Sequence, residues 1–205
     1  DPEKVVVTQL GVDSAFFFGG PTVSREGRLP ILWVGQRRGY KNFAVVISAL
    51  GLLPRAVLSN VELVLFGGEP LEDETAISLV NAGLKPSQIS HVFGDDSELS
   101  KQYRRAHMFL YTSRYEGFGL PILEAMASGC PVICGAGSSI PEVAGDAALI
   151  VDVMKPEEVS LAIETLLHDS EVHQKYQELG RHRASLFSWD RCIDETERAY
   201  RNCLG

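Results

Sequence analysis

Met108-Phe109-Leu110-Tyr111-Thr112-Ser113-Arg114-Tyr115-Glu116-Gly117-Phe118-Gly119-Leu120-Pro121-Ile122-Leu123-Glu124 passes from an apolar strand through a glycine-bearing loop into a helix. Met108–Thr112 is a short, continuous apolar run of strand length. Pro121 suits the opening of a helix, because its missing N–H would be orphaned there in any case. Leu120 offers no side-chain oxygen to cap that start, so the first backbone donors lack an internal partner. Unpaired donors at the positive end of a helix attract anions. Gly117 and Gly119 allow a ligand close to the backbone. Glu124 lies about one turn into the helix. A carboxylate there repels phosphate, so the role it suits is to accept hydrogen bonds from vicinal hydroxyls, as on a ribose. The plain alternative is a buried helix start flanked by two solvated carboxylates.

Outward from this stretch, strand-like runs alternate with helical patterns from residue 30 onward. Strands are expected at Pro30–Val34, Val61–Phe66, Ser90–Phe93, Met108–Thr112, Pro131–Cys134 and Ala148–Val151. Helices are expected near 42–53, 71–82, 96–105, 121–128, 140–144, 156–168, 170–186 and 189–203. Short apolar strands alternating with helices predict an α/β fold: a Rossmann-like, doubly wound parallel sheet of about six strands with helices on both faces, plus C-terminal helices. Ligands in such sheets bind at the carboxyl ends of the strands, and the Glu116 loop leaves its strand on that edge. Residues 1–29 carry Gly11, Gly19, Gly20 and Pro21 with little periodicity and read as an interdomain lead-in or linker; residues 30–205 read as the folded domain. Ser188 is placed to cap the last helix.

Composition narrows the class. The chain has 205 residues, 45% of them hydrophobic, and a net charge of −8. An acidic surface argues against nucleic acid as the main partner. No apolar run is long enough to span a bilayer. The chain starts at Asp1 without Met and shows no signal-type apolar segment, which reads as a processed chain or a fragment. Cys130, Cys134, Cys192 and Cys203 form no C-x-x-C pair and have no histidine at zinc-site spacing, so no metal is expected. Cys130 and Cys134 flank Pro131-Val132-Ile133 and read as buried free thiols in a reducing compartment. His168, His173 and His182 sit in polar helical stretches and read as surface residues.

Four further groups stand at loop positions. Gly35-Gln36-Arg37-Arg38-Gly39-Tyr40-Lys41-Asn42 concentrates three cations in an acidic chain at a strand's carboxyl end. Arg37 and Lys41 can neutralise a diphosphate there, and Asn42 can cap the next helix; a solvated basic turn is the alternative. The loop lacks GxGxxG and GxxxxGK[ST] spacing, which disfavours dinucleotide and P-loop readings. Gly67-Gly68 reads as a tight turn, with a point of close ligand approach as the alternative. Val92 and Phe93 end the third strand and could flank a base, or simply pack in the core. Ser139-Ile140-Pro141-Glu142 fits a capping box, and Arg104 and Arg105 read as solvent-facing. No nucleophile–base–orienter set stands out. An enzyme built on this chain would therefore act by positioning and charge stabilisation.

Glu116 through Ala127, continuing Gly129-Cys130-Pro131-Val132-Ile133, resembles the E-x7-E signature of retaining GT-B glycosyltransferases of family 4 (glycosyl transferases group 1). Val34 through Phe43 is similar to that family's phosphate loop. Gly11-Val12-Asp13 and Phe187-Ser188-Trp189 are similar to its interdomain lead-in and closing helices. The resemblance covers nearly the whole chain in order. It implies one half of a GT-B fold, the C-terminal, donor-binding half, with the acceptor carried by an N-terminal domain of the same protein.

The resemblance also assigns roles. Arg37, Lys41 and the Leu120 N–H would hold the diphosphate of a sugar nucleotide, UDP favoured over GDP. Glu116, with Phe118 and Gly119, would bind the transferred sugar, Glu116 being the catalytic-site carboxylate. Glu124 would bind the ribose, and Val92–Phe93 would flank the base. Gln36 separates Gly35 from the arginines, so Arg37 and Arg38 both stand for the family's arginine. Thr112-Ser113 replaces a common Pro-Ser and is expected to affect only the turn.

The implied activity is hexosyltransferase-type and metal-independent. It would be cytoplasmic, with the inner membrane face as the alternative location and any membrane contact through the other half. The isolated chain is expected to bind donor and transfer little. Rival readings are a non-catalytic nucleotide-sugar binding or regulatory module, a GT-B-fold epimerase or phosphorylase-like enzyme, and a generic Rossmann interaction domain.

Overall fold

A computed structural model describes residues 5–17 and 27–204. Gly19, Gly20 and Pro21 lie outside the described residues. The strands are β1 (Leu29–Val34), β2 (Val61–Phe66), β3 (Ile89–Val92), β4 (Met108–Tyr111), β5 (Val132–Gly135) and β6 (Leu149–Val151). Interleaved with them are α1 (Phe43–Leu52), α2 (Arg55–Leu58), α3 (Asp73–Asn81), α4 (Asp96–Arg105), α5 (Leu120–Ala127) and α6 (Ile140–Ala144). Three longer helices close the chain: α7 (Pro156–His168), α8 (Ser170–Ser185) and α9 (Trp189–Leu204).

All five strand pairings are parallel, in the order β3-β2-β1-β4-β5-β6. The two-residue period of a strand divides the core. Ile31, Trp33, Met108, Leu110 and Ile133 face α1, α3 and α7. Leu32, Phe109, Tyr111, Val132 and Cys134 face α4, α5 and α6. Both faces being covered, the central strands β1, β4 and β5 read as apolar runs, while the edge strand β3 carries Ser90 and His91. Cys130 and Cys134 are both buried.

The six expected strands form, with ends shifted by at most one residue. The short helix α2 is additional: Pro54 ends the preceding helical run, and the next turn seats Leu58 in the core. His173 is buried, against expectation. It lies on the α8 stripe that also carries Gly180 and Ala184, and its ring stacks on buried His107 at 4.1 Å. Each of these rings reaches a backbone carbonyl, His173 that of His107 and His107 that of Leu166, both at 2.9 Å. Arg105 pairs with Glu62 at 2.6 Å while remaining exposed.

Residues 5–17 are irregular apart from one 3₁₀ turn at Ser14–Phe16, which Asp13 caps by accepting the Ala15 N–H at 2.7 Å. Val12 and Phe16 are buried in the core. The Val12 N–H donates to the Phe187 carbonyl at 3.2 Å. A side chain at Gly11 would overlap the Trp189 backbone, so glycine alone lets this segment lie against the start of α9. Ser188 caps α9, its hydroxyl accepting the Arg191 N–H at 3.2 Å.

Candidate functional site

The strand order reverses direction between β1 and β4. In an open parallel sheet, the loops leaving such a pair diverge and open a crevice at their carboxyl ends. Here those loops are residues 35–42 and 112–119, so the topology brings the basic turn and the Glu116 loop to one place. Lys41 Nζ lies 2.8 Å from Glu116 Oε1, and both side chains are mostly buried, 20% and 14% exposed. The same ammonium sits 5.4 Å above the ring of Tyr111 and 5.4 Å above that of Tyr40.

Hydrogen bonds across the crevice fix the two loops against each other. Thr112 Oγ1 donates to the Lys41 carbonyl at 3.0 Å and accepts from Trp33 Nε1 at 3.3 Å. The Arg114 N–H donates to the Tyr40 carbonyl at 2.9 Å. Thr112 therefore does more than shape a turn, because a proline there would have no hydroxyl to make either bond. Asn42 occupies the position before α1 in the left-handed region, φ 55°, which asparagine tolerates. It makes no cap; its amide instead donates to the Val153 carbonyl at 2.8 Å.

A third loop holds the Glu116 segment from the β5 side. Ser138 Oγ accepts the Glu116 N–H and donates to the Glu116 carbonyl, both at 2.8 Å. Ser139 Oγ lies 2.9 Å from the Glu116 carbonyl and 2.8 Å from that of Phe118. The capping box expected at Ser139 does not form, since its hydroxyl is engaged by this loop and makes no cap bond. Local motifs gave Ser139 a capping role and Thr112 a turn role, and marked neither Ser138 nor Tyr111. A tyrosine and a hydroxyl residue at the ligand-side end of a strand are the only signals the sequence offers for them.

Helix α5 begins at Leu120, one residue before Pro121, with Gly119 in the preceding position at φ 118° and no side-chain cap. The uncapped start is as expected. Phe118 is half-buried, its ring edge-on to Phe187 at 6.1 Å, and Gly119 is buried. Glu124 is half-buried and accepts the Tyr103 hydroxyl at 3.3 Å. Burial pushes its carboxyl up to about 7; the Tyr103 bond works against this and nearby Asp96 adds to it. Burial acts upward on Glu116 too. There Lys41, then Ser113 and Tyr111, outweigh it and hold the carboxyl below the usual range.

The two arginines separate. Arg37 is half-buried, and its guanidinium donates to the Gly67 carbonyl at 3.3 Å. Burial lowers its proton affinity, with Glu72 and Glu69 opposing. Arg38 is exposed and pairs with Glu72. Gly67 and Gly68 both have positive φ, and a side chain at Gly68 would overlap the Gly35 carbonyl, so the β2 end supports the basic loop directly. The Gly67 carbonyl also meets His91 Nε2 at 2.9 Å. At the β3 end Val92 packs against the core, whereas Phe93 is 57% exposed and lies on the His91 ring at 4.2 Å. Among the described residues, no group of three or more His, Cys, Asp or Glu side chains is arranged to hold a metal ion. No helix among them is long and apolar enough to cross a membrane.

A doubly wound parallel domain with a charged crevice at its switch point is an α/β architecture whose ligand site lies at the carboxyl edge of the sheet. The family described as "Glycosyl transferases group 1" matches residues 20–183, and the chain belongs to it. The chain is 36% identical to the O-antigen chain mannosyltransferase B of Escherichia coli, over 97% of its own length and 55% of that protein. Among solved structures, it superposes on WaaG, a glycosyltransferase involved in lipopolysaccharide biosynthesis, with a TM-score of 0.81 at 20% identity, covering 97% of this chain and 56% of that one. It also matches the C-terminal domain of the group 1 glycosyl transferase LpcC from Francisella tularensis, TM-score 0.69 and 27% identity, over 78% of this chain and 86% of that one. The fold is thus half of a GT-B architecture. The chain spans about half the length of the curated relatives it matches.

Proposed function

We propose that this chain is the donor-binding half of a glycosyltransferase that takes a nucleoside diphosphate sugar and passes the glycosyl group, with retention, to an acceptor held by the rest of the polypeptide. The observation that carries the reading is the Lys41–Glu116 pair at the switch point, beside the uncapped start of α5. An ammonium, a helix start without a cap and a guanidinium on the neighbouring loop suit a diphosphate, whose charge grows as it leaves. Glu116 suits the hydroxyls of the transferred sugar, supported by the Phe118 and Gly119 backbone. Glu124 suits the ribose, and Phe93 with Val92 a base. The Leu120 N–H is the backbone donor at the phosphate. Arg37 is the better phosphate ligand of the two arginines, because Arg38 is drawn outward to Glu72. No step needs a protein nucleophile or a metal: a donor phosphate oxygen can take the acceptor proton.

The name of the Escherichia coli relative favours a mannosyl group. UDP and GDP conjugates are the two arms of the test, with UDP as the starting expectation. A nucleotide present at 100 times its dissociation constant stabilises the folded chain by about 2.7 kcal/mol. That raises the melting temperature by roughly 5–10 °C for a domain of this size. Arg37→Ala and Lys41→Ala should weaken nucleoside diphosphate binding at least tenfold in calorimetry, and Arg38→Ala far less. A chain that no nucleoside diphosphate stabilises, or one that binds equally with and without these cations, would remove the donor-site reading.

A further inference from the structure

We propose that Tyr111 is a positioning residue for Glu116: its phenol takes over as hydrogen-bond donor to that carboxylate when Lys41 turns to the donor's diphosphate. The inference rests on the donor-site reading above and adds a residue to it.

Tyr111 ends β4 with its side chain 3% exposed, and its hydroxyl oxygen is buried. Leaving such a group without a partner is destabilising, so buried hydroxyls are nearly always paired. This one is not. It lies close enough to Glu116 and Ser113 to interact with both and to help hold the Glu116 carboxyl down, yet completes a hydrogen bond of full geometry with neither. In the unliganded protein Glu116 is satisfied by Lys41, whose ammonium also covers the Tyr111 ring.

Lys41 has one positive charge to divide between two anions. A diphosphate carries more charge than one carboxylate and draws the ammonium toward it. Glu116, 14% exposed, would then be a nearly buried carboxylate without its cation, which is costly unless another donor reaches it. The Tyr111 hydroxyl is already beside it, buried and without a completed hydrogen bond. Burial, and next the negative Glu116, keep its proton in place, so it donates and does not ionise. The result is a hand-over: the lysine leaves for phosphate, the phenol steadies the carboxylate, and the remaining Glu116 lone pairs accept sugar hydroxyls.

Tyr111→Phe deletes only the hydroxyl and keeps the ring that packs beside Phe109. Without ligand, the variant should melt at or above the wild-type temperature, because an unpartnered buried group has been removed. Its affinity for the nucleoside diphosphate sugar should fall about tenfold or more, as expected for a lost bond to a charged acceptor. The acid limb of donor binding should move to higher pH, since Glu116 loses a donor that holds its proton off. Lys41 and Tyr111 are the titratable groups that bear on this carboxylate, so a Lys41→Met background reports the phenol alone. If wild type binds and Tyr111→Phe matches it in affinity and acid limb, the inference fails while the donor-site reading stands. A lowered ligand-free melting temperature with unchanged affinity assigns the hydroxyl to packing and also overturns it. A wild-type chain that binds no nucleoside diphosphate overturns both.

Discussion

Replacing Glu124 by glutamine should make the free protein more stable at alkaline pH and its donor complex weaker. The magnitude follows from the carboxyl's surroundings. Burial carries it from its ordinary 4.5 to about 7, a penalty of about 3 kcal/mol on the ionised form. A carboxyl whose folded value is raised binds its proton more tightly in the folded chain than in the unfolded one. Stability contributed by the neutral form is therefore complete below about 4.5, declines through the window up to about 7, and is gone above it. Glutamine is neutral throughout and its amide oxygen can still accept the Tyr103 hydroxyl, so the variant lacks this decline. Wild type and Glu124→Gln should melt together near pH 4 and differ by roughly 6–10 °C near pH 8.5, the variant higher. Calorimetric scans across this range measure the gap directly, and other titrating groups cancel in the comparison. Calorimetry at pH 8.5 should show the opposite order for nucleoside diphosphate sugar affinity, because a neutral amide is a poorer partner for ribose hydroxyls than a carboxylate. A gap that does not grow with pH would refute the burial argument. A variant that binds donor as well as wild type would refute the ribose role.

Two other substitutions test the scaffold of the crevice. Gly68→Ala should lower stability by more than about 2 kcal/mol, since φ is 72° there and the new methyl would meet the Gly35 carbonyl; denaturant melts read the loss, and diphosphate affinity should fall with it. Ser139→Ala removes the hydroxyl shared by the Glu116 and Phe118 carbonyls and should cost about 1 kcal/mol in stability. Calorimetry should show it weakening a nucleoside diphosphate sugar more than the bare nucleoside diphosphate.

The sheet was legible because its central strands are buried on both sides and written as apolar runs, such as Ile31-Leu32-Trp33. The ligand edge followed from parallel topology alone. His173 was not legible, because its neighbours in sequence are polar and only the α8 stripe it shares with Gly180 and Ala184 marks it as inward-facing. Ser139 shows the limit of local motifs. Its spacing to Glu142 satisfies a capping signal, but a loop more than 20 residues upstream in the chain claims its hydroxyl. The Lys41–Glu116 contact joins residues 75 apart, and no local period encodes such a pairing. Arg37 and Arg38 are indistinguishable as letters; Gly67 on one side and Glu72 on the other divide them.

The crevice is laced together by bonds from the ends of β1, β4 and β5, reaching from Lys41 to Ser139. Nothing smaller than that span contains all its walls, so a nascent chain cannot assemble it piecemeal while the sheet is still adding strands. Ligand recognition should emerge late in refolding, after β5 has docked, and a fragment ending before Ser138 should keep its cations but lack the loop that fixes Glu116.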